Sequence, residues 1–509
     1  MPAPSNALLA LCAVAATFVI HQVAKKRHRY PPGPPRLPVV GNLFDFPASY
    51  SWLKFAEWAR QYDSDIIHFD IFGIHFFVLN SADVVKEIFE NRSQNYSDRV
   101  AAMMAQLTGW DRNWGIAPYG DGWRLRRRLF HQHFRPQAVT AMHGEIKKGA
   151  CALVQMLLDD PRDFARTVRN VSGAVTLNIL YAMDFDPHDD ARMEAVDKAL
   201  HSFMALIQPY LVNFIHPLRH IPSWFPGAGW KRQAAVWKKE VDALFEKPYY
   251  EIKAAAQAGT AKPCFATSLL SDNWDKLDDP EMNEVLISVL GTAYANSDTT
   301  IFTMRGFVRA MVLYPDVQRK AQEELDRVVG RDRLPDISDR DSLPYLAAVL
   351  KEVQRWRPIA PIAAPHMSSA DDVYNGYFIP KGSIVIGNTW ALLHDPTRYP
   401  DPDTFNPSRF LRADGTPDPA VPPPEEIWGY GRRACPGRYF AADAVWSYAA
   451  HVLAACTLAK PRDASGKEVE PTEEHEAATF LIPKHFEVSV MPRFDGAEKL
   501  VQAACEATE

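Results

Sequence analysis

The chain has 509 residues, long enough for one unusually large domain or about three ordinary ones. Hydrophobic residues at 47% and charged ones at 23% are ordinary globular usage and exclude a disordered, collagen-like or multi-span membrane chain. A net charge of -6, from 56 Lys+Arg against 62 Asp+Glu, withholds the basic field that phosphate recognition needs, so no nucleic-acid partner is expected.

In chain order, the first feature is an apolar run from Ala7 to Ile20, interrupted only by Thr17 and extended by Val23 and Ala24. That is about the lower limit for spanning a bilayer. Lys25, Lys26, Arg27 and Arg29 follow it, the order of a retained anchor rather than of a secretory signal, and His21-Gln22 stand where a cleavage site wants small residues. The positive-inside rule then leaves the remainder in the cytosol, so Asn91, Asn95 and Asn170, each in an Asn-x-Ser match, are expected to carry no glycan. Residues 1–29 read as membrane anchor and basic stop. Residues 30–41, with Pro31-Pro32-Gly33-Pro34-Pro35, read as a semi-rigid spacer, and 42–509 as one large domain without repeats or a second apolar span.

Within that domain, Ile66–Ile71 and His75–Leu79 joined by Phe72-Gly73 predict a β-hairpin, and further strands are expected at Val373–Ile379, Ser383–Asn388 and Phe486–Met491. Most other segments predict helix. The longest is expected to open at Asp279-Pro280 and run to Tyr314-Pro315. Six cysteines (Cys12, Cys151, Cys264, Cys435, Cys456, Cys505) lack paired spacing, which excludes a disulfide framework or CxxC zinc site and favours a reducing compartment.

The sharpest motif is Trp428-Gly429-Tyr430-Gly431-Arg432-Arg433-Ala434-Cys435-Pro436-Gly437. Its glycines let backbone turn tightly against a flat ligand, Cys435 offers a thiolate, and N–H groups with nearby Arg hold sulfur anionic. A buried Cys in a turn is the plainer reading. Gly429-x-Gly431-x-x-Ala434 also matches a dinucleotide fingerprint, but neither a preceding strand nor a βαβ unit supports it. Glu352 and Arg355 share a helix face ahead of Pro358, yet Glu324 and Arg327 do the same, and spacing alone makes both surface ion pairs. Trp123 and Arg127 lie about 40° apart on one helix face, able to donate to one carboxylate. Ala295-Asn296-Ser297-Asp298-Thr299-Thr300 places polar residues mid-helix between apolar runs, where Ser and Thr bond back to the preceding turn and open a groove.

Together these motifs resemble the haem-thiolate cytochrome P-450 superfamily, whose signature Phe-x-x-Gly-x-Arg-x-Cys-x-Gly is complete here except for Trp428 in place of Phe. The resemblance runs from the Pro-rich spacer to about Arg493, in the family's order, and is best to microsomal eukaryotic members, fungal ones above all. It implies a mainly α fold with small β-sheets and a bound haem b. Cys435 is then the axial thiolate and metal ligand, pushing electron density toward the iron. Trp123, Arg127, His366 and Arg433 would hold the propionates. Asp298 would relay protons and Thr299 orient the activated oxygen, a general-acid role, with Asn296 standing where the family commonly has Gly. Glu352, Arg355 and Arg409, the last within Phe405-Asn406-Pro407-Ser408-Arg409-Phe410, would form a buried charge triad that is structural.

The implied reaction inserts one atom of dioxygen into an apolar small molecule, in secondary metabolism, on the cytosolic side of the endoplasmic reticulum membrane. Electrons would come from an NADPH cytochrome P-450 reductase, with cytochrome b5 a second candidate donor, docking on Arg124, Arg128 and Arg135. By the same resemblance the pocket draws on Ala101 to Ile116, Phe203 to Phe214, the helix around Tyr294, Ile359 to Ala363, and Phe480 to Ile482. One rival is a haem-thiolate isomerase or dehydratase, which has no need of Asp298-Thr299; another is a non-enzymatic, membrane-anchored haem-binding protein.

Overall fold

The computed structural model describes residues 28–507 apart from 48, 184, 185, 187, 189, 207–209, 298, 473, 478 and 479. The predicted anchor run and Asp298 lie outside the described residues. Among the described residues no helix is long and apolar enough to cross a membrane.

The two predicted strands fold into a hairpin of β1 (Ile66–Ile71) and β2 (Ile74–Leu79). The other strands are β3 (Asp98–Arg99), β4 (His366–Met367), β5 (Asp372–Tyr374), β6 (Tyr377–Ile379), β7 (Ile384–Gly387), β8 (Cys456–Ala459), β9 (His475–Ala477), β10 (Leu481–Pro483) and β11 (Ser489–Pro492). The expected single strand Val373–Ile379 is two, because Asn375-Gly376, at φ 50° and 76°, turn the chain back on itself. Of Phe486–Met491 only the end is strand. One sheet has the order β1-β2-β7-β4-β3, with β2 and β7 parallel; the rest are two-stranded. Its β3–β4 register sets Arg99 opposite His366.

The helices of eight or more residues are α1 (Ser51–Gln61), α2 (Asp121–Phe134), α3 (His143–Asp159), α4 (Phe164–Tyr181), α5 (Asp190–Ala205), α6 (Gly229–Gln257), α7 (Phe265–Asp272), α8 (Pro280–Ala295), α9 (Thr299–Leu313), α10 (Pro315–Val328), α11 (Pro344–Trp356), α12 (Arg438–Ala455) and α13 (Ala497–Glu506). The long helix expected from Asp279-Pro280 to Tyr314-Pro315 is therefore two, α8 and α9. It starts as predicted, with Pro280 at the first position and the Asp279 side chain accepting from Glu281 N–H at 2.9 Å. It stops because Ser297 bonds the wrong turn: its N–H donates to the Tyr294 carbonyl at 3.2 Å and its hydroxyl to the same oxygen at 2.9 Å. A side chain competing for a helix carbonyl unwinds the ladder there.

Two apolar cores flank this break. One joins α3, α4, α9, α10, α11 and α12 through residues such as Val154, Val308, Val349 and Leu453. The other joins α2, α6 and α8 through Phe130, Phe245 and Leu290. Phe440, five residues beyond Cys435, packs against both, so the cysteine loop sits at their seam.

Candidate functional site

The cysteine loop is shaped by two glycines. Gly429 has φ 80° and ψ -170°, a region closed to side chains. Gly431 has φ 51°, and a Cβ there would lie 2.0 Å from the Phe89 carbonyl oxygen. The loop closes where Cys435 N–H donates to the Trp428 carbonyl at 2.6 Å, and α12 opens at Arg438, directly after Pro436 and Gly437. The sulfur thus lies just ahead of the N-terminus of an 18-residue helix. Burial pushes the Cys435 thiol up, while the Gly437 N–H and the Arg127 and Arg438 guanidiniums pull it back toward the thiolate. A bound metal ion completes that deprotonation.

Beside the loop lies a buried group of donors. Arg127 donates to the Ala434 carbonyl at 2.8 Å. Trp123 on the same face of α2 carries the Arg433 guanidinium over its ring, 4.6 Å from the centroid, and Arg127 at 6.0 Å. Arg433 donates to the carbonyls of Ser97, at 2.8 Å, and Ala117. Arg99, which the motifs of the sequence do not single out, donates to the carbonyls of Ala364 at 2.6 Å and Pro365 at 3.0 Å. Burial, then repulsion from Arg433, brings Arg99 down to about 9; burial also brings Arg433 down to about 10. His366 is buried and neutral, first through burial and then through Arg99, and its Nδ1–H donates to the Tyr96 carbonyl at 2.6 Å. With Nδ1 committed, Nε2 donates to an anion only after gaining a proton.

Asp98 is the carboxylate that opposes Arg99 and Arg433, one negative charge set against those two guanidiniums and that of Arg127. Trp123 Nε1, Arg433 Nη1 and Arg99 Nε are buried without a hydrogen-bond partner. Orphaned donors and crowded guanidiniums are unfavourable unless an anion joins them, and carboxylates match the geometry of guanidinium forks. The residues present therefore fit a dianionic, flat cofactor such as haem, held by its propionates beside the Cys435 sulfur.

Cys435 shares a cavity with Thr299, Thr300 and Thr303 of α9, roofed by Phe480 and Leu481. Thr299 is accessible there, its hydroxyl 3.4 Å from the Asn296 carbonyl. Ile359 and Ala360 also line the cavity, as the sequence reading expects. The Ala101 to Ile116 segment docks on α8, where Trp114 N–H donates to Thr292 Oγ1 at 3.2 Å.

Glu352, Arg355 and Arg409 meet in the interior. Arg355 grips Glu352 at 2.7 and 2.9 Å, and Arg409 Nε reaches it at 3.1 Å. On spacing alone this pair resembles Glu324–Arg327, but the two differ. Glu324 is buried and accepts from the N–H groups of Tyr345 and Leu346 at 2.9 Å, capping α11, while Arg327 is exposed. The expectation of a surface ion pair there is corrected: Glu324 anchors the helix that carries Glu352.

Comparison with known proteins follows the same line. The family model described as cytochrome P-450 matches residues 31–490. The chain is 38% identical to the cytochrome P-450 monooxygenase ple1 of Rhodocybe pseudopiperita over 512 aligned positions, 98% of each chain. It is 36% identical to tryptamine 4-monooxygenase of Psilocybe cyanescens, over 96% of this chain and 97% of that one. A solved zebra fish cytochrome P-450 with abiraterone shares the fold, with TM-score 0.70 at 24% identity, covering 87% of this chain and 100% of that one. Matched to the family along nearly its whole length, the chain belongs to the cytochrome P-450 family, whose cofactor is haem-thiolate, and is an oxygen-incorporating oxidoreductase, a monooxygenase with fungal homologues.

Proposed function

We propose that the protein binds haem b through Cys435 and oxidises an apolar small molecule of secondary metabolism with electrons from an NADPH cytochrome P-450 reductase. The observation that carries this reading is the shared cavity of Cys435 and Thr299 beside buried, unpartnered donors. Trp123, Arg127, Arg433 and Arg99 would hold the propionates, with His366 joining on protonation. Held there, haem would supply the chemistry of reductive dioxygen cleavage, one atom going to substrate and the other, with two electrons from the reductase and two protons, to water. Thr299 then holds a proton at the cavity face of α9, and Asp298, its neighbour in the chain, relays protons to it. Phe302, Val353, Ile359 and Phe480 exclude water and favour an apolar guest.

Arg124, Arg128 and Arg135 are exposed around the outer side of α2, where an acidic donor domain would dock; cytochrome b5 shares that chemistry. The 1–29 anchor would hold the domain on the cytosolic face of the endoplasmic reticulum. Exposed Trp224 and Phe225 support contact with a membrane surface.

The test is reconstitution of the full-length protein with reductase and NADPH against terpenoids, polyketides, fatty acids, aromatic hydrocarbons and, given one relative's name, tryptamine. Mono-oxygenated product is expected, and the wild type alone shows the red-shifted Soret band of a reduced carbon monoxide complex that Cys435→Ser loses. Thr299→Ala should keep haem and NADPH consumption while product per NADPH falls and hydrogen peroxide rises. Turnover without any reductase would replace this reading with the isomerase.

A further inference from the structure

α13 lies wholly beyond residue 490, where the family match ends. It is amphipathic at four-residue steps: Ala497 and Val501 are buried, and Cys505 continues their stripe, packed with Leu500 and Ala504 against the core that contains Cys151. Cys151 is on α3, 1% exposed; α13 packs along α3, with Cys505 against the core that holds Cys151 and its thiol close enough to act on that of Cys151. Both are unbridged thiols, and Cys505 is the more accessible.

We infer that Cys151 and Cys505 are a dithiol pair that a hydroperoxide converts to a reversible disulfide, clasping the C-terminal helix to the core. Cys505 reacts first: its sulfur takes one oxygen from hydrogen peroxide, giving a sulfenic acid and one water. The Cys151 sulfur then attacks that sulfur and its proton leaves with the hydroxide as a second water. Two thiols lose two electrons in all, and one peroxide becomes two waters. The ammonium of Lys147, one turn before Cys151, favours the attacking thiolate, against the neighbouring Cys505 thiol and the burial that hold the proton on. The reverse step consumes two molecules of a small thiol such as glutathione, which leave as their own disulfide, consistent with a pair that rests reduced. The clasp acts on a helix outside the cavity and is independent of the functional reading above.

The experiment uses the full-length, haem-loaded protein, treated with hydrogen peroxide and then mapped as non-reduced peptides. A peptide linking Cys151 to Cys505 is expected, with two thiols lost per chain. The thermal midpoint should rise by about 5 °C, the loop-closure free energy divided by the unfolding entropy of a chain this long, and dithiothreitol should reverse both changes. Cys505→Ser and Cys505→Ala should each abolish link and shift, and Cys264→Ser should preserve them. A Cys505 that stops at sulfenic or sulfinic acid, a link to any other cysteine, or a link without a change in midpoint would overturn the inference.

Discussion

Replacing Glu352 by Gln tests whether the interior charge triad holds the fold. The carboxylate is fully buried and accepts from Arg355 twice, from Arg409 once, and from Asn406 N–H at 2.8 Å. Glutamine keeps the shape but removes the negative charge that faces both guanidiniums, and its NH2 meets a donor where an acceptor stood. Arg355 retains the Leu393 carbonyl at 2.9 Å and the Tyr399 ring, which satisfy hydrogen bonds without neutralising charge. Breaking a buried pair from one side costs about 3–5 kcal/mol. In a chain this long that lowers the thermal midpoint by only about 3–5 °C, so urea unfolding is the sharper measurement. Glu352→Asp, which keeps the charge at a shorter reach, should lose less than Glu352→Gln. If Glu352→Gln loses under about 1 kcal/mol, well below the cost of breaking a buried pair, the triad does not lock this fold and its burial needs another explanation.

Two further perturbations separate the parts of the site. If Arg99 holds a propionate as proposed, Arg99→Gln would remove one charge-assisted contact worth about 1.5–3 kcal/mol, so haem transfer to an apoprotein acceptor should speed up roughly 10- to 150-fold, while the haem-free fold gains stability from relieved repulsion with Arg433. Equal loss in both forms would place Arg99 in the scaffold alone. The second concerns acid. Burial lowers His68 and His394 to about 3 and His451 to about 4. Depressed values mean that the unfolded chain binds the protons first, so the stability these groups contribute is complete above about pH 6.5 and declines as pH falls toward about 4 and 3. The slope is about 1.4 kcal/mol per pH unit for each histidine. His451→Gln should flatten the decline measured by urea unfolding between about pH 7 and 5, and an unaltered slope refutes the assignment.

Much of this molecule is legible before folding, for reasons that differ by element. The β1–β2 hairpin shows because two short runs rich in Ile, Phe and Val flank the turn at Phe72-Gly73. The cysteine loop shows because Gly429 and Gly431 answer local conformational demands. The break between α8 and α9 is half visible: the polar cluster reads as a groove in one long helix, and apolar flanks conceal that Ser297 ends the first. Glu324 misleads because spacing reports a shared helix face and says nothing of what the face meets.

Arg99 escapes altogether, and the reason is electrostatic. Arg99, Arg127, His366 and Arg433 are spread along the chain, and what brings Arg99 to His366 is a register between two-residue strands too short to have a period. A sequence displays charges with their neighbours along the chain; it does not display which ones are buried together with the same sign. That excess becomes visible only in three dimensions, as orphaned Trp123, Arg433 and Arg99 nitrogens and arginines driven to give up protons more readily. A fold that tolerates such an excess is shaped to receive an anion, which is why the cluster, more than the cysteine alone, argues for an anionic cofactor at this seam.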